Sequence, residues 1–270
     1  MDTTKNFHFT VGTLKCIAVN DGIETVPAAS VVKDVPAEQW SQALRDGGYS
    51  PTESVVYFNC LTVQSDRQRL LVDAGWGRGT QRRDGALLDR LKTEGIAPDD
   101  VDSIVITHGD GDHIGGIATA DGQLVFPNAS YILSQEAWDF WSNDAVVARW
   151  PEYLTVFGRK TLPLIRSRVK VVASGDEFLP GFRLVPAPGH RPGHSLLAVT
   201  SSGERSEHLL HLADLVGHPL LMEHPAWTWQ ADFKPDQVEK DKAQLLGQAA
   251  AQQALVFGAH LPFPGVGRIT

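Results

Sequence analysis

The stretch Ser103-Ile104-Val105-Ile106-Thr107-His108-Gly109-Asp110-Gly111-Asp112-His113-Ile114-Gly115-Gly116 decides how this chain is read. An apolar run of strand length ends at a histidine and passes into a loop interrupted by glycine. Such a loop can turn back on the strand end, so that residues at alternating spacing share a small volume. His108, Asp110, Asp112 and His113 then become four metal-ligating groups at one strand end. Taken singly, His108 or Asp110 reads as an incidental polar residue of a solvated loop. Taken together, the four at this spacing mark a metal site.

Around this strand the pattern alternates between sheet and helix. Phe7 to Val11 and Leu14 to Val19 flank Gly12-Thr13 as a β-hairpin, and Val55 to Val63 pairs with Arg69 to Val72. Pro36 to Asp46 is a helix opened by proline and closed by Gly47-Gly48. Leu87, Leu88, Leu91 and Ile96 have helical spacing just ahead of the signature strand, with Gly95 as the stop. The second half repeats the plan: strands at Val169 to Ala173, Phe182 to Pro186, Ser195 to Val199 and His208 to Leu212, a helix from about Pro235 to Gln253, and a strand at Leu255 to Phe257. Strand blocks each followed by a helix, twice over, predict an α/β (α+β) chain with two sheets face to face and helices outside. Trp138, Phe140, Trp141 and Trp150 read as core or interface packing rather than as a substrate lid.

With 270 residues and 42% apolar content, the chain is long and apolar enough to bury a sizeable core. A net charge of −8 argues against nucleic acid as a partner, because phosphate recognition needs clustered Lys and Arg. Cys16 and Cys60 lie in apolar, strand-like contexts that suit buried reduced thiols better than a disulfide. No stretch approaches the ~20 apolar residues of a membrane helix, and the amino terminus has no run of signal-peptide length. The expectation is a cytoplasmic protein that does not engage a membrane.

Thr107 to Gly116 resembles the signature loop of the metallo-β-lactamase superfamily, His-x-His-x-Asp-His, with Asp110 where that family has its second histidine. Pro188-Gly189-His190, Leu212-Ala213-Asp214 and Gly258-Ala259-His260 resemble the family's later metal positions in the same order. Their succession is similar to that of the branch containing methyl parathion hydrolase and the acyl-homoserine lactonases. Asn20-Asp21-Gly22, Asn59-Cys60-Leu61, Leu71-Val72-Asp73-Ala74-Gly75-Trp76-Gly77 and His260-Leu261-Pro262-Phe263-Pro264-Gly265 resemble the same branch. The resemblance implies a four-layer αββα sandwich with metals at one edge. It also implies one domain over 1–270, built from pseudo-repeated halves of about 1–165 and 166–270. His108, Asp110 and His190 would hold one divalent ion, Asp112, His113 and His260 a second, and Asp214 would bridge them. Zinc, manganese, iron or cobalt would serve. The implied activity is metal-dependent hydrolysis of a small-molecule ester-type substrate, whether lactone, aryl ester or phosphotriester, and related lactonases suggest a homodimer.

In that arrangement a hydroxide between two ions is the attacking group, and Asp112 or Asp214 is the catalytic carboxylate that orients it and relays its proton. Three carboxylates and a hydroxide balance two divalent cations, whereas a histidine at 110 leaves one positive charge. The expectation is a bound water less acidic than in strongly activating zinc sites. Carboxylate is also harder than imidazole, which favours manganese, iron or cobalt at the first site. Because aspartate is shorter than histidine, a single-metal site built on Asp112, His113, His260 and Asp214 stays open. Outside the ligand shell, Asp73 and His194 are placed to orient ligands. His208, His211, His218 and His224 match no motif position and read as structural or surface residues. Gly217 stands where acyl-homoserine lactonases carry a tyrosine three residues after the bridging aspartate. Pro219 to Trp229 and Leu261 to Pro264 are expected as pocket walls. The competing activities are a mononuclear iron sulfur dioxygenase, a glyoxalase II-like thioesterase and a non-catalytic metal-binding protein.

Overall fold

In the computed structural model, which describes residues 3–79, 84–201 and 207–269, successive side chains of one strand enter different layers. Leu70 and Val72 belong to a cluster with Leu184, Leu197, Val199, Leu209 and Phe257, whereas Leu71 between them packs with Ile104, Ile106, Tyr131, Leu91 and Ile165. This is the period-2 pattern of strands buried on both faces.

Among the described residues thirteen strands form two sheets. The first is seven-stranded, in the order β1 (Phe7–Val11), β2 (Leu14–Pro27), β3 (Glu53–Gln64), β4 (Arg69–Val72), β5 (Ser103–Val105), β6 (Ser130–Ser134) and β7 (Val169–Val172). The second is six-stranded and is built from β8 (Glu177–Leu179), β9 (Phe182–Pro186), β10 (Ser195–Ser201), β11 (Glu207–His211), β12 (Leu255–Phe257) and β13 (Val266–Arg268), in the spatial order β13-β12-β11-β10-β9-β8. The described helices are α1 (Ala37–Asp46), α2 (Leu87–Thr93), α3 (Gly111–Ile114), α4 (Gln135–Trp141), α5 (Asp144–Val147), α6 (Glu152–Ile165), α7 (Leu220–Glu223) and α8 (Pro235–Ala251). Apolar residues of α2, α4 and α6 cover the outer face of the first sheet, and those of α1 and α8 the outer face of the second. The fold is the expected metallo-β-lactamase sandwich.

Neighbours from β4 to β7 pair in parallel, as do β11 and β12. Parallel pairing needs a long crossover, and the segments that leave the strand ends carry the chemistry, as is usual at the carboxyl edge of such sheets.

Several elements differ from expectation. β2 does not stop at Val19 but continues through Asn20-Asp21-Gly22 to Pro27, with a bulge between Asn20 and Gly22. The bulge serves to aim Asp21 inward, where its carboxylate accepts from Trp76 N at 2.8 Å and Leu87 N at 2.8 Å. β6, β8, β13 and the helices between 135 and 165 are not marked in the sequence reading. Gly158 and Pro163 inside α6 are the residues that read as breakers. Trp141 packs against Gly158 and is 3% exposed, while Trp138 and Phe140 flank the same core. Trp150 meets Phe140 edge-on at 5.2 Å and lies tilted against Phe233 at 4.4 Å. These aromatics therefore supply packing, as expected. Cys16 and Cys60 are buried free thiols, and burial pushes Cys16 up to about 12. Among the described residues no helix is long and apolar enough to cross a membrane.

Candidate metal centre

After β5 the chain runs through Ile106 and Thr107 to His108, turns at Gly109 and Asp110, and enters the single helical turn α3, which carries Asp112 and His113. Two backbone bonds close the loop, from His113 N and Ile114 N to Asp110 O, each 3.1 Å. A third joins it to the end of β4, from Ala74 N to His113 O at 2.8 Å. Glycine is required because the loop lies against aromatic rings. A Cβ on Gly109 would stand 2.6 Å from Trp141, and one on Gly111 2.6 Å from Phe157.

Each imidazole is held at Nδ1, which turns its Nε2 inward. His113 Nδ1 lies 2.7 Å from Asp73 Oδ2, His190 Nδ1 2.9 Å from Asp232 Oδ1, and His260 Nδ1 2.8 Å from Tyr57 O. Thr107 spends its hydroxyl proton on Asp73 Oδ2 at 2.9 Å, so it accepts from His108 Nδ1 at 3.1 Å. This carboxylate–imidazole pattern fixes the tautomer that leaves Nε2 free for an ion. Asp73 adopts φ +58, a left-handed conformation that lets both its oxygens reach Thr107, one through the amide and one through the hydroxyl. His194 reaches a ligand through the backbone. It touches no other histidine's ring nitrogen; its Nδ1 donates to Ala187 O at 2.7 Å and its Nε2 accepts from the amide of Asp214 at 3.0 Å.

The Nε2 atoms of His108, His113 and His190, and Oδ1 of Asp214, are buried without a hydrogen-bond partner. His113 Nε2 is 3.0 Å from Asp214 Oδ1 yet is not aligned to donate to it. Orphaned buried polar atoms are expensive unless something fills the space between them. A tetrahedral ion with bonds of about 2.1 Å places its ligand atoms roughly 3.4 Å apart. Asp112 Oδ2 is 3.4 Å from His113 Nε2 and 3.6 Å from His260 Nε2, and Asp214 Oδ2 is 3.1 Å from His260 Nε2. That triangle fits. The second is looser: Asp110 Oδ2 is 3.8 Å from His108 Nε2 and 3.9 Å from His190 Nε2, while Asp214 Oδ2 is 3.9 Å and 3.3 Å from the same two nitrogens. The three groupings able to hold an ion are His108/Asp110/His190, His108/His113/Asp214 and Asp112/His113/His260.

Charges in the cluster support one another. Burial alone would raise Asp214, but His113, His260, His108 and His190 hold it well below the usual carboxylate range. Burial opposes protonation of His113, and Asp214, Asp112 and Asp73 override it and raise it well above 6.5. His190 and His260 are also raised: burial opposes this, and for His190 so does Arg191, but Asp214 and neighbouring carboxylates prevail. Burial drives His108 well below its ordinary value, and His113 adds to the effect.

Four contributors were not singled out in the sequence, although Thr107 opens the signature loop and Trp229 closes an expected wall segment. Asp232 orients His190, and its other oxygen accepts from Trp229 N at 2.7 Å. The Trp229 ring stacks on His190 at 5.7 Å and meets His260 edge-on at 5.2 Å. It also fills the space above Gly217, where an added Cβ would collide with it. Thr107 is the third. Arg191 is the fourth, and its guanidinium grips Asp110 through Nε–Oδ1 at 3.1 Å and Nη2–Oδ2 at 2.8 Å. This corrects the charge balance read from the sequence, because Arg191 restores the positive charge that a histidine at 110 would leave.

A cleft of about 950 Å³ opens onto Asp110 and Asp112, walled by Trp76, Phe157, Leu154 and Leu164, with Ala118 to Gly122 along its rim. The expected walls, Pro219 to Trp229 and Leu261 to Pro264, do not line it; among the described residues of those segments Trp229 is the side chain set against the imidazoles. His211 and His218 are buried, and their Nδ1 atoms accept backbone amides, from Ala213 N at 3.1 Å and Leu220 N at 3.2 Å, in keeping with a structural role.

Residues 55–260 match the family model of the metallo-beta-lactamase superfamily, and the chain belongs to that superfamily. The donor cluster groups side chains able to hold divalent metal, as that superfamily membership leads one to expect. Metallo-beta-lactamase domain-containing protein 1 of Mus musculus is 42% identical over 72 residues, 26% of this chain and 23% of that protein. The Xenopus laevis protein of that name is 31% identical over 146 residues, 51% of this chain and 50% of that one. The chain thus spans half or less of the curated relatives it matches. Among solved structures, AidC, a dizinc quorum-quenching lactonase solved with a homoserine product, superposes with TM-score 0.88 at 28% identity over 98% of this chain and 93% of its own. The hydrolase AbOPH shares the fold, with TM-score 0.85 at 24% identity over 98% and 92%.

Proposed function

We propose that the chain is a two-metal hydrolase of small-molecule esters, with lactones the first class to test and aryl esters and phosphotriesters next. The observation that carries this reading is the set of inward Nε2 atoms and the Asp214 carboxylate, buried and unpartnered at ion-ligand separations. Likeness to AidC over almost the full length supports a lactone. His108, Asp110 and His190 would hold one divalent ion and Asp112, His113 and His260 the other, with Asp214 available to both. Zinc, manganese, iron and cobalt all suit these donors. One domain, 1–270, supplies the whole set.

When bound, the ions supply an activated water and polarise the electrophilic oxygen of the ester. The protein does the rest. Asp214 is kept ionised by four surrounding imidazoles, and His194 fixes its backbone through the amide. Asp112 faces the cleft, where the carboxylate oxygen left outside the ligand set could take up the proton released by the attacking water and return it to the leaving oxygen. Trp76, Phe157, Leu154 and Leu164 receive the apolar part of the substrate and exclude water from it. Trp229 takes the volume that a side chain at 217 would need, so this chain lacks the phenol by which lactonases with tyrosine at that position assist the carbonyl.

The test is a panel of lactones, aryl esters and a phosphotriester, assayed with metal-stripped protein to which each ion is restored. Turnover that returns with the ion and is abolished in Asp214→Asn supports the proposal. Oxygen consumption with a persulfide and no ester turnover under any ion refutes it in favour of an iron oxygenase.

A further inference from the structure

Arg191 is 4% exposed, and every polar atom of its head is engaged. Nη1 donates to two backbone carbonyls, His190 O at 2.8 Å and Ala231 O at 2.6 Å, so the guanidinium is anchored independently of any side chain. Nε and Nη2 then take both oxygens of Asp110 in a fork, the strongest geometry open to this pair of groups. The carboxylate sits closer to Arg191 than to its other neighbours: 2.8 and 3.1 Å to the guanidinium, against 3.8 and 3.9 Å to the two imidazoles with which it would share an ion. Asp112, which forms no ion pair with an arginine among the described residues, approaches its imidazoles to 3.4 and 3.6 Å.

We propose that Arg191 is an internal competitor for Asp110 that keeps the first ion weakly held while the second is held tightly. Two effects act in the same direction. The fork draws the carboxylate back from the ligand position, and a fixed positive charge beside the site repels a cation. The loop supplies a reason for the asymmetry: Arg191 directly follows His190, so one short segment delivers both a ligand and the group that restrains its partner ligand. Arg191 is thus a positioning residue that sets how readily one ion leaves. This inference rests on the two-ion reading of the site.

The experiment measures ion binding rather than turnover. Metal-stripped protein is titrated with cobalt(II), with d–d absorption reporting each site and a chromophoric chelator competing for the ion. The parent is expected to fill in two separated steps. Arg191→Gln is expected to bind the weaker ion about tenfold tighter and to leave the tighter step unchanged, opposite in sign to the 10- to 100-fold loss that removing an ordinary outer-shell partner causes. Arg191→Lys keeps the charge but offers one point of contact, and should tighten the weaker step by a smaller factor. In an Asp110→Asn background the part of the Arg191→Gln effect that passes through the fork should vanish, leaving only the gain from removing the fixed charge. If either soluble Arg191 variant binds the weaker ion as the parent does, or more loosely, while the parent still takes up two, the inference is wrong and the two-ion reading stands. A parent that saturates at one ion refutes both.

Discussion

Acid and alkali should separate the metal-loaded protein from the stripped one. Burial holds His194 at about 3 and His211 and His218 at about 4, against an ordinary histidine value of 6.5. Below 6.5 the unfolded chain takes up protons at these three positions that the folded chain refuses. Stability is therefore full above 6.5 and falls as the pH drops toward 4. Each such group costs about 1.4 kcal/mol per pH unit, so three cost about 4 kcal/mol per unit and about 6 kcal/mol by pH 5. A whole domain is stable by about 5–15 kcal/mol, so the loaded protein should be close to unfolding there. The window is kept above pH 5 because burial also raises Asp21, which acts in the opposite sense once it protonates.

Stripping the ions adds a second slope with the opposite sign. His113, His190 and His260 are then raised above 6.5, so the stability they contribute is present below that value and is lost as the pH climbs through their folded-state values. With ions bound they are neutral ligands and contribute no such loss. Thermal melts at pH 5, 6.5 and 8 should thus show a plateau above 6.5 for the loaded protein and a maximum near 6.5 for the stripped one. The loaded Tm should fall by roughly 12 °C at pH 5, at about 2 °C per kcal/mol. His211→Gln should flatten the acid slope by about a third. A stripped protein whose Tm is the same at pH 8 as at 6.5 would refute the charge assignment of the cluster.

Asp73→Asn should weaken the tighter ion about 10- to 100-fold and cost about 1–3 kcal/mol, read by chelator competition and urea melts. All three neighbours of that carboxylate are donors, so an amide NH2 has nowhere to go; unchanged affinity would mean that His113 is oriented by other means. Gly109→Ala should cost about 1–3 kcal/mol and loosen both ions, because its Cβ meets the Trp141 ring at 2.6 Å; a variant with parental Tm and metal content contradicts the close packing of the loop. Trp229→Ala should raise KM for an active substrate more than it lowers kcat, since the ring borders His190 and His260 without reaching the reacting atoms; a pure kcat loss would assign it a different role.

The parts of the site that stand next to one another in sequence were legible there. His108 to His113 form one loop, and the strand before it is an apolar run whose end is set by the first histidine. Strand pairs with clear polar turns, such as β3 and β4, were legible for the same reason. Elements whose sequence contradicts their local preference were not. α6 runs through Gly158 and Pro163, and its glycine is explained by the tryptophan lying against it, a contact made across the fold. β2 runs through a turn-like tripeptide because Asp21 caps a loop 55 residues away, at Trp76. Asp232 and Trp229 belong to no motif, since their roles exist only once α8 and the strand ends have brought them to His190.

Arg191 shows what a residue count misses. Read in one dimension, aspartate at 110 changes the centre by a full negative charge, and that reasoning leads to a more neutral pair of ions and a less acidic water. In three dimensions the same aspartate arrives with a guanidinium attached by two hydrogen bonds, and the net charge near the ions is again that of a histidine ligand. The difference that remains is geometric: an imidazole can be a ligand and nothing else, while a carboxylate held by an arginine is shared between two cations. If two ions bind as proposed, charge at the attacking water is restored and such a site is expected to match an all-histidine one in chemistry. It is expected to differ in how firmly it keeps the ion on the Asp110 side, which makes ion occupancy the property in which this chain departs from its superfamily's motif.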